Sequence, residues 1–163
     1  MIHHISMTAR DPRHVAEVFA EILGGMVVPT PPNFQPNSWF AMAKDEHGTM
    51  IEVLPEGTEL QPGDEEADFV RSERVQGFTP AHAYVSVNRS AEEVLAIGAR
   101  EGWLTRLSPR GPLDQVIECW VENRHLIEFA PPEILKRYLD FMTNPEAIRA
   151  AVAEFAPGAT YEG

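Results

Sequence analysis

At 163 residues the chain is long enough for one compact unit, or for two small halves that share a core. Its apolar share of 44% is that of an ordinary globular protein, and a formal net charge of −12 argues against a nucleic-acid partner. The single cysteine, Cys119, excludes an internal disulfide and suits the cytoplasm; Met1–His4 runs straight into strand-like sequence with no sign of a signal peptide, and no apolar run approaches the ~20 residues that cross a bilayer.

Ile2 to Thr8 reads as a first strand, with Ile5, Met7 and Ala9 on one face and His4, Ser6 and Thr8 on the other. Asp11-Pro12 then opens a helix whose stripe is Val15, Val18, Phe19, Ile22 and Leu23, and Gly24-Gly25 ends it. Met26 to Thr30 is a short strand broken by Pro31-Pro32-Asn33. Ser38 to Ala43 and Thr49 to Leu54 are two strands joined by the polar turn Lys44–Gly48. Pro55 to Pro80 carries Glu56, Glu59, Asp64, Glu65, Glu66 and Asp68, and reads as a solvated loop with one helical turn around Phe69-Val70. Such a long connector is either a functional lid or a spacer.

The second half repeats the first. Ala81 to Val87 is a strand with His82, Tyr84 and Ser86 on one face. Ser90 and Glu93 form a capping box for a helix that turns Ala91, Val94, Leu95 and Gly98 inward and stops at Gly102. Leu104 to Ser108 is a strand, Pro109 to Pro112 a turn, and Gln115–Val121 and Arg124–Ala130 a closing hairpin around Glu122-Asn123. After Pro132 come two amphipathic helices. The first carries Ile134, Leu135, Tyr138, Leu139 and Met142; the second, capped at Asn144-Pro145, carries Ile148, Ala151, Val152 and Phe155. The fold class is α+β: two βαβββ modules, residues 1–55 and 81–131, form a cupped mixed sheet, with an acidic connector at 56–80 and a helical appendix at 132–163.

Two stretches carry the chemistry. Thr49–Pro55 and His125–Pro131 each set one carboxylate, Glu52 or Glu128, in the apolar middle of a last strand, where a charge is costly without a partner. His4 and His82 open the first strands of the two halves, on the face away from the helix. Two imidazoles and two carboxylates at repeat-equivalent places point to one site for a divalent ion such as Ni, Co, Zn, Mn or Fe. His3 points the other way. Met50 and Leu126 flank the glutamates as an apolar pocket wall, and Tyr84 is a candidate substrate contact. Arg106, Arg110 and Arg124 are either receivers of an anionic group or solvated side chains. Trp39 and Trp120 read as packing residues, and Cys119 as a small core residue.

His4-Ile5-Ser6-Met7 with Arg10-Asp11-Pro12, then Ile51-Glu52, His82 and Ile127-Glu128, resemble the vicinal oxygen chelate superfamily over roughly residues 2–131. That group includes glyoxalases, methylmalonyl-CoA epimerase, extradiol dioxygenases, and fosfomycin- and bleomycin-resistance proteins. The resemblance implies a metal held by His4, Glu52, His82 and Glu128. It departs from glutathione-dependent glyoxalases, because Val53-Leu54-Pro55-Glu56 stands where their Thr-aromatic-Asn run would be.

The expected function is a glyoxalase- or epimerase-like isomerase or lyase acting on a small oxygenated substrate through a metal-stabilised enolate, with Glu128 or Glu52 moving the proton. One alternative is an Fe(II) extradiol-type dioxygenase using His4, His82 and Glu128. Another is a small-molecule binding or resistance protein without catalysis. A homodimer is expected, with no nucleic-acid or membrane partner. The connector, able to span up to ~90 Å, allows the modules to pair within one chain or across a swapped dimer.

Overall fold

The computed structural model describes residues 2–31, 35–64, 67–74, 77–111 and 115–155. Pro32-Asn33, Glu65-Glu66, Pro112, the side chain of Phe155 and the segment after it lie outside the described residues. The elements run β1 (His4–Ala9), α1 (Pro12–Leu23), β2 (Met26–Pro29), β3 (Trp39–Met42), β4 (Met50–Pro55), β5 (Thr58–Pro62), β6 (Ala67–Arg71), β7 (Ala83–Ser86), α2 (Ala91–Glu101), β8 (Leu104–Pro109), β9 (Gln115–Val121), β10 (His125–Ala130), α3 (Pro132–Met142) and α4 (Pro145–Phe155).

Local chemistry starts and stops the helices. The Asp11 side chain accepts a bond from the His14 amide at the start of α1, and Ser90 and Glu93 close a reciprocal capping box on α2. Both helices end on left-handed glycines, Gly24 at φ 64° and Gly102 at φ 68°. In α4, Asn144 Oδ1 accepts from the amides of Glu146 and Ala147.

Two four-stranded sheets result, ordered β1-β4-β3-β2 and β7-β10-β9-β8. In each, the first strand lies parallel to the last and the remaining pairs are antiparallel. The register makes the repeat concrete: Ser6 stands opposite Glu52, and Tyr84 stands opposite Glu128. The architecture is therefore α+β with two βαβββ modules.

The connector corrects the sequence reading. Instead of a loop with a helical turn at Phe69-Val70, β5 and β6 form an antiparallel hairpin in which Leu60 faces Phe69 and Glu59 faces Val70. The acidic composition masked an extended pairing that Thr58, Leu60, Phe69 and Val70 support through strand propensity. Thr58 is buried, and its hydroxyl donates to the Pro55 carbonyl at 2.7 Å, tying the hairpin to the end of β4.

The modules meet through their helices. The α1 stripe, Val15, Val18, Phe19, Ile22 and Leu23, is buried as expected. Phe19 also reaches Phe129 of β10, edge-on at 6.5 Å between ring centres, so α1 stands between the two sheets. Glu21 pairs with Arg100 of α2 at 2.6 Å, and His14 contacts Glu101 at 2.7 Å. On α2 the buried residues are Val94, Ile97 and Gly98; Ile97 adds to the expected set, and Ala91 and Leu95 are half-buried. A Cβ at Gly98 would stand 2.0 Å from Thr105 Oγ1, so only glycine lets α2 come this close to β8. The appendix is buried at Ile134, while Leu139 and Met142 remain about half-exposed, so the stripe of α3 is covered only near its start. Among the described residues no helix is long and apolar enough to cross a membrane.

Candidate functional site

Alternation along β4 and β10 fixes where the two carboxylates point. Ile51 and Val53, and likewise Ile127 and Phe129, are buried in the common core. Glu52 and Glu128 therefore lie on the opposite faces of their sheets. Because α1 lies between the sheets, these two faces look away from the shared core.

Module two carries a polar rung. Tyr84, Glu128, Glu118 and Arg106 are cross-strand neighbours on β7, β10, β9 and β8. Two buried carboxylates directly opposite each other would repel. Arg110 resolves this: its Nη2 donates at 2.6 Å to Glu118 Oε1 and at 2.6 Å to Glu128 Oε1, and its Nε donates at 3.2 Å to Glu128 Oε1. Arg110 Nη1 donates to Ser108 Oγ and to the Pro109 carbonyl. Arg106 covers the other oxygen, Nε donating to Glu118 Oε2 at 2.9 Å. Burial pushes the Glu118 carboxyl up, but bonds from Arg110, Arg106 and Ser108 outweigh it and hold its pKa down at about 2. The same two carboxylates, Glu118 foremost, hold the Arg110 pKa above its ordinary value.

The second oxygen of Glu128 faces histidine. Oε2 lies 3.8 Å from His82 Nε2, beyond hydrogen-bond range. His82 Nδ1 bonds the Pro80 carbonyl at 2.9 Å, which requires a proton on Nδ1 and, whenever the ring is neutral, makes Nε2 the nitrogen with the lone pair. His82 Nε2 and Glu128 Oε2 thus face one another across 3.8 Å. A backbone carbonyl on the other ring nitrogen is also what fixes the tautomer of histidine ligands at metal sites.

Module one is built differently at the same register. The corresponding rung is Ser6, Glu52, Phe40 and Val28. Ser6 Oγ donates to Glu52 Oε2 at 2.6 Å, while Glu52 Oε1 is buried with no hydrogen-bond partner. His4 is exposed, opposite Met50 on β1 and one step diagonally from Glu52. His3, the other ring of the pair, bonds the His47 carbonyl.

The structure therefore brings His82 to Glu128 and sets His4 beside Glu52, as two pairs on two sheets. Among the described residues no three His, Cys, Asp or Glu side chains gather around one point. Of the expected pocket residues, Leu126 lines a cavity of about 810 Å³ beside His82, together with Ser6, Leu54, Leu60 and Phe78. Tyr84 lies beside Glu128 on the rung. Its ring contacts Tyr138 of α3 at 4.8 Å, its hydroxyl has no partner, and burial, then Tyr138 and Glu128, raise its pKa. Met50 is half-buried on the Glu52 face. The reading of Arg110 and Arg124 as solvated side chains is corrected, since Arg110 is clamped between Glu118 and Glu128 and Arg124 pairs with Glu56; Arg106 is exposed and bonds Glu118. Trp120 packs edge-on against Phe78, and Trp39 lies beneath Arg13. Burial pushes the Cys119 thiol up to about 11, which keeps it protonated in the core.

Glu118 was missed in the sequence. The signal is there: in Gln115–Val121 it is the one acidic residue between apolar neighbours, and pairing β9 with β10 around Glu122-Asn123 sets it opposite Glu128.

No protein-family model and no curated protein matches the sequence. Solved structures do share the fold. The fosfomycin resistance protein FosX from Listeria monocytogenes, crystallised with Mn(II) and sulfate, aligns at 14% identity over 86% of this chain and 95% of that one, with a TM-score of 0.55. FosX from Mesorhizobium loti aligns at 12% identity over 84% and 95%, with a TM-score of 0.52. An integron cassette protein from the mobile metagenome of the Halifax Harbour sewage outfall aligns at 13% identity over 80% and 97%, with a TM-score of 0.52. At such identities the likeness establishes the fold.

Proposed function

We propose that this chain, which has the fold of the vicinal oxygen chelate proteins, is a metal-dependent isomerase or lyase acting on a small oxygenated substrate. Its divalent ion is held by His82 and Glu128, and the coordination is completed by His4 from a second copy. The observation that carries this reading is the His82–Glu128 pair: Nδ1 tied to Pro80, and Nε2 turned to a carboxylate oxygen 3.8 Å away. The Mn(II) bound by the Listeria protein of the same fold supports it. One further fact supports completion across copies: β1, which carries His4, and β7, which follows His82, are edge strands.

A divalent ion at this place supplies Lewis-acid polarisation of substrate oxygens, which acidifies the adjacent carbon. The chain's own residues do the rest. Glu52 arrives on the same sheet face as His4, and its Oε1, without a hydrogen-bond partner, is the atom to take and return the proton. Met50 and Leu126 wall the pocket. The β5–β6 hairpin, whose Leu60 borders the cavity beside His82, is the segment placed to cover it.

One observation favours a second reading, a small-molecule binding protein without catalysis. Arg110 already bonds Glu128 Oε1, so a cation is supplied by the chain itself. The test is metal titration of protein prepared without a polyhistidine tag. Wild type is expected to take about one ion per chain, and His4→Ala and Glu128→Gln none. Mixing and refolding these two variants together should restore about a quarter of the sites, because about half of the dimers are hybrids and one of the two pockets in each hybrid regains His4, His82 and Glu128. Full binding by both single variants would sink the assignment. No binding by wild type would leave the binding-protein reading in its place, and no recovery on mixing would confine any site to a single chain.

A further inference from the structure

We propose that the first sheet carries a soft-metal site on the face away from the core: a rung of three thioethers and one imidazole that takes a single Cu(I) ion. The rung is Met26, Met42, Met50 and His4, one residue from each of the four strands at one register.

Strand pairing puts these groups together. Met26 of β2 stands opposite Met42 of β3, Met42 opposite Met50 of β4, and Met50 opposite His4 of β1. The next residue on each strand, Val27, Ala41, Ile51 or Ile5, lies in the core or against it, so all four rung residues share the other face. Directly opposite residues on neighbouring strands hold their Cβ atoms ~5 Å apart. Met50 is therefore flanked by Met42 on one side and His4 on the other, and an ion above β4 has all three within side-chain reach. Met26, beside Met42, adds a further thioether at the rim. Methionine suits the task, because its unbranched side chain turns about three bonds and brings a polarisable sulfur to the ion.

The rung is more than apolar cover. Three of the six methionines in the chain fall on it, while the matching register of module two carries Leu104, Trp120 and Leu126. Met26 and Met42 are exposed and Met50 is half-buried, so their sulfurs are not spent on filling the core. Among the described residues the His4 ring makes no hydrogen bond or ion pair, whereas His3, His14 and His82 each bond a protein oxygen. Charge points the same way. Glu52, two residues along β4 from Met50, has one oxygen without a partner, and its own rung holds Ser6, Phe40 and Val28, none of them a cation. A monovalent ion above Met50 stands beside that carboxylate and balances it one for one.

The donor set names the ion. Thioethers are neutral and soft and select Cu(I), while imidazole with carboxylate suits the divalent ions of the site proposed above. The two sites share His4, so their ions compete for it. Met26 and Met42 belong to this rung alone, and the inference stands whether or not the divalent site exists.

The test is an anaerobic titration of full-length protein, prepared without a polyhistidine tag, with Cu(I) against a coloured Cu(I) chelator. X-ray absorption at the copper edge then reports the neighbouring atoms. Wild type is expected to take one Cu(I) per chain with sulfur in its shell. Met42→Leu and Met50→Leu keep the volume and remove the sulfur, so the fold should hold, which thermal unfolding checks. Each should weaken Cu(I) by at least about tenfold, the worth of even an outer-shell partner of a metal, and Met26→Leu should weaken it less. Met7→Leu, on the core face, and Cys119→Ala should leave the affinity unchanged. Glu128→Gln, which should abolish divalent uptake, should leave Cu(I) uptake intact, so failure of one site is read separately from failure of the other. No uptake by wild type, uptake that ignores the paired Met42→Leu and Met50→Leu changes, loss of uptake in Cys119→Ala, or a shell of nitrogen alone would each overturn the site.

Discussion

The two modules place a glutamate at the same register of the same strand and surround it with opposite chemistry. In module one Glu52 sits between a serine hydroxyl and Phe40, with one oxygen bonded at 2.6 Å and the other without a partner. In module two Glu128 sits between Tyr84 and Glu118 and is satisfied by an arginine that it shares. A duplicated backbone thus fixes where a carboxylate points and leaves its neighbours to decide its work. The residue across the strand makes the difference: Phe40 offers Glu52 no charge, while Glu118 makes Arg110 and Arg106 necessary. In the function proposed above, that contrast makes Glu52 the base and Glu128, one oxygen 3.8 Å from His82 Nε2, the ligand. Pairs of acids whose surroundings differ are the usual way one site divides such roles.

The strongest way to break this division is to remove the charge from each glutamate in turn. Glu128→Gln is expected to abolish metal uptake. Glu52→Gln is expected to leave uptake within a few-fold and to cut turnover by ~10²–10⁴, the ordinary worth of a general base. A panel of 2-hydroxyketones, acyl thioesters and catechols in D₂O supplies the readout. Exchange of a substrate C–H for deuterium marks proton abstraction; oxygen uptake with ring-fission absorbance marks a dioxygenase built on His4, His82 and Glu128. Full turnover by Glu52→Gln together with oxygen uptake would move the assignment to the dioxygenase.

Much of this contrast was legible beforehand. The repeat, the helix caps at Asp11 and Ser90, and the faces of His4, His82, Glu52 and Glu128 follow from period-two and period-3.6 patterning, which depends on local backbone geometry alone. How the modules meet was not legible, because Phe19 reads as an ordinary member of the α1 stripe; nothing local says that it also touches Phe129. The expectation of four ligands around one point assumed that equivalent residues converge; His4 with Glu52 and His82 with Glu128 lie on separate sheets, and among the described residues no three such side chains gather. The hairpin at Thr58–Arg71 was hidden for a similar reason, since its pairing is a contact between segments whose composition reads as solvated. Arg110 reads in the sequence as either a receiver of an anionic group or a solvated side chain, and the cross-strand meeting of Glu118 with Glu128 gives it its partners.

The next effect in size belongs to module two alone. The folded pKa of Glu118, about 2, lies below the ordinary 4.5, so its contribution is present above the higher value and lost as the pH falls toward the lower one. The shift corresponds to on the order of 3 kcal/mol at neutral pH as an upper figure, reduced by the exposure of Arg106. Urea unfolding between pH 7 and pH 3 should show wild type losing stability across that window. Glu118→Gln should be less stable at pH 7 and have a flatter acid limb. Equal slopes would mean that the arginines do not hold Glu118 ionised.

The smallest effect is the sharpest, because it compares equivalent positions with opposite expected signs. Ser6 and Tyr84 stand opposite Glu52 and Glu128 at matching register, and both are hydroxyl side chains. The Ser6 hydroxyl is spent on Glu52, so Ser6→Ala strips a buried carboxylate of its bonded donor and should cost ~1–2 kcal/mol. The Tyr84 hydroxyl is buried without a partner, so Tyr84→Phe removes an unpaid desolvation and keeps the ring against Tyr138; stability should hold or rise slightly. Chemical unfolding of the two variants beside wild type decides it. A loss in Tyr84→Phe as large as that in Ser6→Ala would show that the tyrosine hydroxyl has a partner in solution. Unchanged stability with slower turnover would instead make that hydroxyl a donor to substrate, held free on the Glu128 rung for that purpose while its counterpart in module one is committed to the base.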